Sequence, residues 1–191
     1  NNKYNTRPDN LRLIVYADGV ELTLKSQPKW EKNGNVWSYT IEELPIYNET
    51  TQKKIVYTVK EVVPKDKGYE GSSSTDADGN TNFTNTLIGT TTLKGKKLWL
   101  DGGDFAKRQT PTLIVNNGKR DLVEGIDYLV NWSKTSDEWS YSIPDLPKYD
   151  ESQQLIVYTV EEEDMDGYIG KSSKDEAGDT NFENRLVGMT S

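Results

Sequence analysis

The sequence predicts an all-β chain made of two tandem antiparallel β-sandwich domains, and three observations lead there. Two segments about a hundred residues apart read almost alike, W-S-Y-T-I-E-E-L-P-I-Y-N…I-V-Y-T-V-K-E (Trp37–Glu61) and W-S-Y-S-I-P-D-L-P-K-Y-D…I-V-Y-T-V-E-E (Trp139–Glu162), a period too long for a solenoid repeat and right for an independent domain. Short runs rich in β-branched and aromatic residues recur between Gly, Asn, Asp and Pro turns. No window of useful length places apolar residues at helical spacing.

Taken in order, L-R-L-I-V-Y (Leu11–Tyr16) before A-D-G, W-S-Y-T-I (Trp37–Ile41) and I-V-Y-T-V (Ile55–Val59) read as strands of the first copy. P-T-L-I-V (Pro111–Val115) before N-N-G, W-S-Y-S-I (Trp139–Ile143) and L-I-V-Y-T-V (Leu155–Val160) repeat them in the second. A further Trp precedes the first of each block, Trp30 before Trp37 and Trp132 before Trp139. D-G-N-T-N-F-T-N-T-L-I-G (Asp78–Gly89) answers G-D-T-N-F-E-N-R-L-V-G (Gly178–Gly188) as the closing strand. Between the copies, L-I-G-T-T-T-L-K-G (Leu87–Gly95) reads as a brief Thr-rich connection, which places the boundary near Gly89 and the domains at 1–89 and 90–191.

Composition excludes several function classes. A formal net charge of -8 argues against nucleic acid and acidic membranes as partners, because neutralising phosphates takes clustered Lys and Arg. No run approaches the length of a membrane span, so no membrane insertion of this segment is expected. The chain has no Cys and no His. There is then no disulfide framework, no thiolate nucleophile, no Ser-His or Cys-His pair and no usual transition-metal site, and neither a cofactor nor a metal is predicted. Turnover of an outside substrate would rest on carboxylates, Lys or Tyr, and nothing places the two facing acids that a glycosidase needs.

The informative chemistry lies in polar residues that alternation turns inward. Tyr158, Val160 and Glu162 share one strand face, as do Tyr57, Val59 and Glu61, so a carboxyl follows the apolar residues into each core. Phe182 and Asn184 share a face, as do Phe83 and Asn85, which turns Asn184 and Asn85 in and Asn181 and Asn82 out. In K-G-K-K-L-W-L-D (Lys94–Asp101), Lys97 and Trp99 occupy one face and Leu98 and Leu100 the other, and periodicity alone allows either to be the core face. A Lys beside a buried Trp has its ammonium disfavoured by desolvation, and a buried Glu has its neutral acid favoured.

The ordered set K-L-W (Lys97–Trp99), L-P-K-Y-D (Leu146–Asp150), I-V-Y-T-V-E-E (Ile156–Glu162) and N-F-E-N (Asn181–Asn184) resembles the B-type repeat domain of the staphylococcal collagen adhesin, the Cna B-type domain of Gram-positive surface proteins and pilins. The resemblance covers the second copy and, from Arg7 onward, the first. It implies an Ig-like or prealbumin-like sandwich and a spontaneous intramolecular isopeptide bond between a Lys of the first strand and an Asn of the last, assisted by a buried Glu. Carried over by position, Lys97 is the nucleophile, Asn184 the carboxamide attacked and Glu162 the proton-shuttling acid. The residues also have a plainer reading, with Lys97 an exposed strand Lys, Glu162 part of the solvated acidic run Glu161–Asp164 and Asn184 a turn-capping amide. Glu161 is the rival carboxylate, and strand alternation argues against it.

The first copy departs from the pattern. Nothing before Arg7 resembles the K-x-W strand, and Lys3 sits too close to R-P to belong to one, so Glu61 and Asn85, the equivalents of Glu162 and Asn184, stand without an evident Lys partner. Two accounts are open: a first strand outside this sequence, or a gap that accepts a strand donated by another molecule, since an open edge over apolar residues favours strand addition. D-A-D-G-N-T-N (Asp76–Asn82) has the look of a calcium loop, but it lacks the distal bidentate Glu and reads better as a polar hairpin turn.

The expected function is a stalk or spacer of a secreted, cell-wall-anchored adhesin or pilin, with neighbouring repeats of the same protein as its partners. The rival is a module that itself binds a host protein or glycan, whose ligand the sequence does not name.

Overall fold

The computed structural model describes residues 2–135 and 138–187. The chain divides between Ile88 and Gly89 into two compact units. The first holds β1 (Arg12–Ala17), β2 (Val20–Leu22), β3 (Lys29–Asn33), β4 (Val36–Thr40), β5 (Tyr57–Val62), β6 (Tyr69–Thr75) and β7 (Thr81–Leu87). The second holds β8 (Thr90–Leu100), β9 (Leu113–Asn116), β10 (Asn131–Lys134), β11 (Glu138–Pro147), β12 (Thr159–Glu162), β13 (Tyr168–Lys174) and β14 (Thr180–Leu186). Among the described residues the helical content is two single turns, Lys65–Lys67 and Phe105–Lys107.

The second unit is a sandwich of a five-stranded sheet, order β10-β11-β8-β14-β13, and the pair β12-β9. Alternation along β9, β11 and β12 delivers Leu113, Val115, Tyr141, Ile143 and Val160 to one core with Tyr128, Leu146 and Phe182. Leu113, Val115, Ile143 and Leu146 are fully buried, each contributing about 1.5–3 kcal/mol of transfer free energy. Strict alternation would turn Asp145 inward after Ile143. Instead a register shift between Ile143 and Leu146 in the β11–β8 ladder, with Asp145 at φ 60, brings Leu146 to the core. Such a bulge realigns the two faces of a strand at the cost of one left-handed residue.

Among the described residues every strand pair is antiparallel except β8–β14, where the opening and closing strands of the unit lie side by side in parallel. Parallel neighbours need a long crossover, and the run from β9 to β13 supplies it. This pairing fixes the site, because it sets Lys97 against Phe182 and Trp99 against Asn184.

Two element boundaries differ from the sequence reading. The Thr-rich stretch read as a connection is strand from Thr90 onward, with Thr91 and Leu93 turned partly inward, because β-branched residues in alternation suit a half-buried strand. The late strands begin at Tyr57 and Thr159 rather than at Ile55 and Leu155. Val56 and Val157 are 65% and 75% exposed, so these apolar runs approach the sheet as loops before they join it. The two acidic turns are hairpin turns: Asp76 accepts the backbone N–H groups of Asp78 and Asn80, and Asp175 those of Ala177 and Asp179.

The first unit repeats the hairpins but not the continuous sheet. Its described strands form β2-β1-β5 and two separate pairs, β3-β4 and β6-β7. Its A-D-G turn joins β1 to β2 with Asp18 and Gly19 at φ 50 and 82, the left-handed pair that a tight hairpin requires. Among its described residues only Val15 and Tyr69 are buried hydrophobics.

Candidate cross-linking site

Lys97, Glu162 and Asn184 come from β8, β12 and β14 and meet inside the second unit. Lys97 and Asn184 are 0% and 2% exposed, and the Glu162 side chain 8%. The Lys97 Nζ stands 2.6 Å from both carboxylate oxygens of Glu162. The Asn184 Nδ2 donates to Glu162 Oε1, also at 2.6 Å. A single carboxylate oxygen therefore bridges the amine and the carboxamide nitrogen. Glu161 is exposed on the opposite strand face, and Asn181 is engaged at the rim, donating to Asp175 and accepting the Lys96 backbone N–H.

Aromatic rings wall the amine. Trp99 lies with its ring centroid 4.9 Å from Lys97 Nζ, and it meets Trp139 and Tyr168 edge-on, each at 5.2 Å. Burial holds the Lys97 pKa below its ordinary value, opposed by the hydrogen bond and charge of Glu162. The Asn184 Oδ1 is buried without a hydrogen-bond partner among the described residues. Gly170, opposite Asn184 on β13, makes room for it, since a Cβ there would lie 3.1 Å from that oxygen.

Sequence reasoning missed the support behind Trp99. Arg108 donates from Nε and Nη2 to the two oxygens of Asp101, at 2.6 and 2.5 Å, with both side chains buried. Its guanidinium lies 5.6 Å from the Trp99 ring centroid. Tyr168 donates to the same carboxylate at 3.3 Å, and this partnering holds the Asp101 pKa at about 2. The sequence signal was faint: an Asp two positions after a Trp, and an Arg after a short Gly-rich turn.

In the first unit Asn85 Nδ2 donates to both oxygens of Glu61, at 2.8 and 3.0 Å, and Asn85 Oδ1 is again buried without a partner. Among the described residues no Lys contacts this pair, and Lys3 is exposed outside any strand. Burial raises the Glu61 pKa, against the opposing hydrogen bond from Asn85. A carboxyl whose folded pKa is raised binds its proton more tightly when folded, so its contribution is present below the ordinary value of 4.5 and is lost as pH rises from there through the folded value. Glu61→Gln, permanently neutral, is expected to stabilise the first unit at neutral pH, the gain shrinking to nothing as pH falls below that window. Denaturant midpoints of parent and variant measured across pH check this, and a gain that does not change with pH would refute it.

The model of the Cna protein B-type domain matches this sequence twice, over residues 1–86 and 93–184. The chain belongs to the Cna B-type domain family. A curated relative, the collagen adhesin of Staphylococcus aureus, is 32% identical over 172 residues, covering 88% of this chain. The B-type pair spans only 13% of that protein's length. Two solved structures of the collagen binding protein of Staphylococcus aureus are similar. One holds two B repeat units, B1B2, with 24% identity and a TM-score of 0.47, over 97% of this chain and 46% of that one. The other holds the single unit B1, with 20% identity and a TM-score of 0.36, over 98% of this chain and 92% of that one. The duplication visible in the sequence is thus a pair of B-type domains.

Proposed function

We propose that these B-type domains, at 1–89 and 90–191, are load-bearing spacers of a Gram-positive cell-surface adhesin or pilin, and that the second is locked by an isopeptide bond between Lys97 and Asn184. The observation that carries the reading is Glu162 Oε1, 2.6 Å from both the nitrogen that would attack and the nitrogen that would leave. Burial disfavours the Lys97 ammonium. Lys97 passes a proton to Glu162, and the free amine attacks Asn184 Cγ. Glu162 then takes the second amine proton as it delivers the first to Nδ2, which departs as ammonia when the C–N bond breaks. One C–N bond forms and one breaks, and the proton left on Glu162 departs with ammonia as ammonium, which restores the carboxylate. Holding both groups on one carboxylate supplies the effective molarity that free Lys and Asn lack.

The link would join the opening strand to the closing strand, so a load entering at β8 and leaving at β14 would cross a covalent bond instead of the sandwich. This favours a structural role over an enzymatic one, the bond forming once per chain. The partners on this reading are neighbouring repeats, and the protein would be exported and held at the cell wall. Single-molecule pulling on the chain tests the reading. The stretch between Lys97 and Asn184 is expected to release no contour length, while Lys97→Ala releases it. Full extension of that stretch in the parent would rule the spacer mechanism out.

A further inference from the structure

Two buried side-chain polar atoms of the second unit have no hydrogen-bond partner among the described residues, and one is a donor, the other an acceptor. They are the indole Nε1 of Trp99 and the carboxamide Oδ1 of Asn184. Both residues are 2% exposed, and they stand opposite each other in the parallel β8–β14 ladder. Ladder partners lie about 4.8 Å apart and project to the same face, so orphan donor and orphan acceptor belong to neighbouring side chains. The indole contacts Trp139 of β11 and Tyr168 of β13, with ring centroids 5.2 Å away in each case. Since β14 lies between β8 and β13, the ring reaches across the strand that carries Asn184. An unpaired buried polar group is costly, and folded proteins retain few of them. Two on adjacent residues, of matching chemistry, have a common explanation.

The cross-linking chemistry supplies it. Glu162 serves the nitrogen side of Asn184: its Oε1 accepts from Nδ2 and from Lys97 Nζ, and its Oε2 accepts from Nζ again. The carboxamide oxygen is turned toward Gly170 of β13, and an ionised carboxylate has no proton to give it. When Nζ attacks Cγ, a C–N bond forms and the π pair of the carbonyl moves onto Oδ1. Negative charge then gathers on the one atom of the site that no donor serves. The pair returns to the carbonyl as the Cγ–Nδ2 bond breaks. A preorganised N–H at such an oxygen is worth about 10²–10³ in rate, and catalytic hydrogen bonds of this kind commonly close only as the reaction proceeds. Other buried donors around Trp99 are engaged, the Lys97 amine on Glu162, and the Tyr168 hydroxyl and the Arg108 guanidinium on Asp101.

We infer that Trp99 is the oxyanion donor of the cross-linking reaction, its indole N–H closing on Asn184 Oδ1 as Lys97 attacks and remaining on that oxygen in the amide product. This rests on the cross-linking reading above. The indole proton stays on its nitrogen throughout, so the proton traffic through Glu162 is unchanged. The Arg108 guanidinium and Tyr168, both on Asp101, pack against the indole and hold it in place, which is the rigidity that a preorganised donor needs.

The test uses the full chain, made by cell-free synthesis with Trp99 replaced by benzothienylalanine, in which sulfur stands in for the indole N–H and the ring keeps nearly the same size and shape. Intact mass under denaturing conditions, sampled over time after synthesis, reads the loss of ammonia. The expected result is a rate lower than the parent's by about a hundredfold or more, and an equal rate overturns the assignment. The same replacement in an Asn184→Ala chain, which cannot react, is expected to leave the denaturant midpoint of that chain unchanged, so that the slow rate reports lost donation and not lost folding. A second measurement keeps Trp99 intact. By NMR, the Trp99 indole proton of the reacted parent is expected downfield of its position in Asn184→Ala, where the acceptor is gone. An unshifted resonance overturns the assignment even when the benzothienyl chain does not fold. A parent that loses no ammonia refutes the cross-linking reading and the role of Trp99 with it. A parent that loses ammonia beside an equally fast benzothienyl chain removes the role of Trp99 alone.

Discussion

Measured intact under denaturing conditions, the chain is expected to weigh one ammonia less than its sequence, and Lys97→Ala, Asn184→Ala and Glu162→Gln each to restore the full mass. Two groups held on a shared proton carrier in a dry site make the forward reaction fast, and departure of ammonia makes it irreversible in practice. Glu162→Gln is the most telling variant. It retains the size of the side chain that lies against Lys97 and Asn184 but cannot carry a proton between them. By analogy with disulfide loop closure over a comparable span, loss of the link should lower the stability of the second unit by about 4 to 5 kcal/mol. Either Glu162 variant also leaves the buried Lys97 without its counter-charge, a separate cost of about 3–5 kcal/mol, so Asn184→Ala, which keeps Lys97 against Glu162, is the variant whose stability reads the bond. A deficit of two ammonias would mean that Asn85 has also found a Lys. A full sequence mass in the parent removes the cross-link and leaves two β-sandwich spacers.

Gly95→Ala is expected to be the most damaging single methyl group in the second unit. Its Cβ would meet the backbone oxygen of Thr180 at 1.9 Å, a fixed group of the neighbouring strand rather than the end of a flexible side chain. Overpacking of this kind costs about 3 kcal/mol, the upper part of its usual range. Here the relief movement would also push β8 from β14 and draw Lys97 away from Asn184. The variant should therefore lose both stability of the second unit and the ammonia deficit. Fluorescence-monitored denaturation together with intact mass reads both effects. A variant that unfolds like the parent and still loses ammonia would show that the strands have slack at this point.

Much of the fold is legible in the sequence because strand alternation and turn chemistry are local. The repeat length, the W-S-Y and I-V-Y-T-V runs and the A-D-G turn need no distant information. The strand faces of Glu162, Asn184, Glu61 and Asn85 follow from a period of two. The run from Ile143 to Leu146 shows where that logic ends, since a bulge whose position depends on the partner strand resets the period.

By itself, then, the sequence determined that the chain holds two copies of one β domain and which carboxyl and carboxamide turn inward in each. It left open which face of β8 is buried, because Lys97-Trp99 and Leu98-Leu100 alternate equally well. The tertiary structure decided that by pairing β8 in parallel with β14, so that Lys97 and Asn184 both reach Glu162. It also brought Arg108 and Asp101 together behind Trp99, and made Gly95 the crossing point of Tyr141. These depend on strands far apart in sequence approaching within one ladder spacing, and a local pattern carries no information about which strands become neighbours.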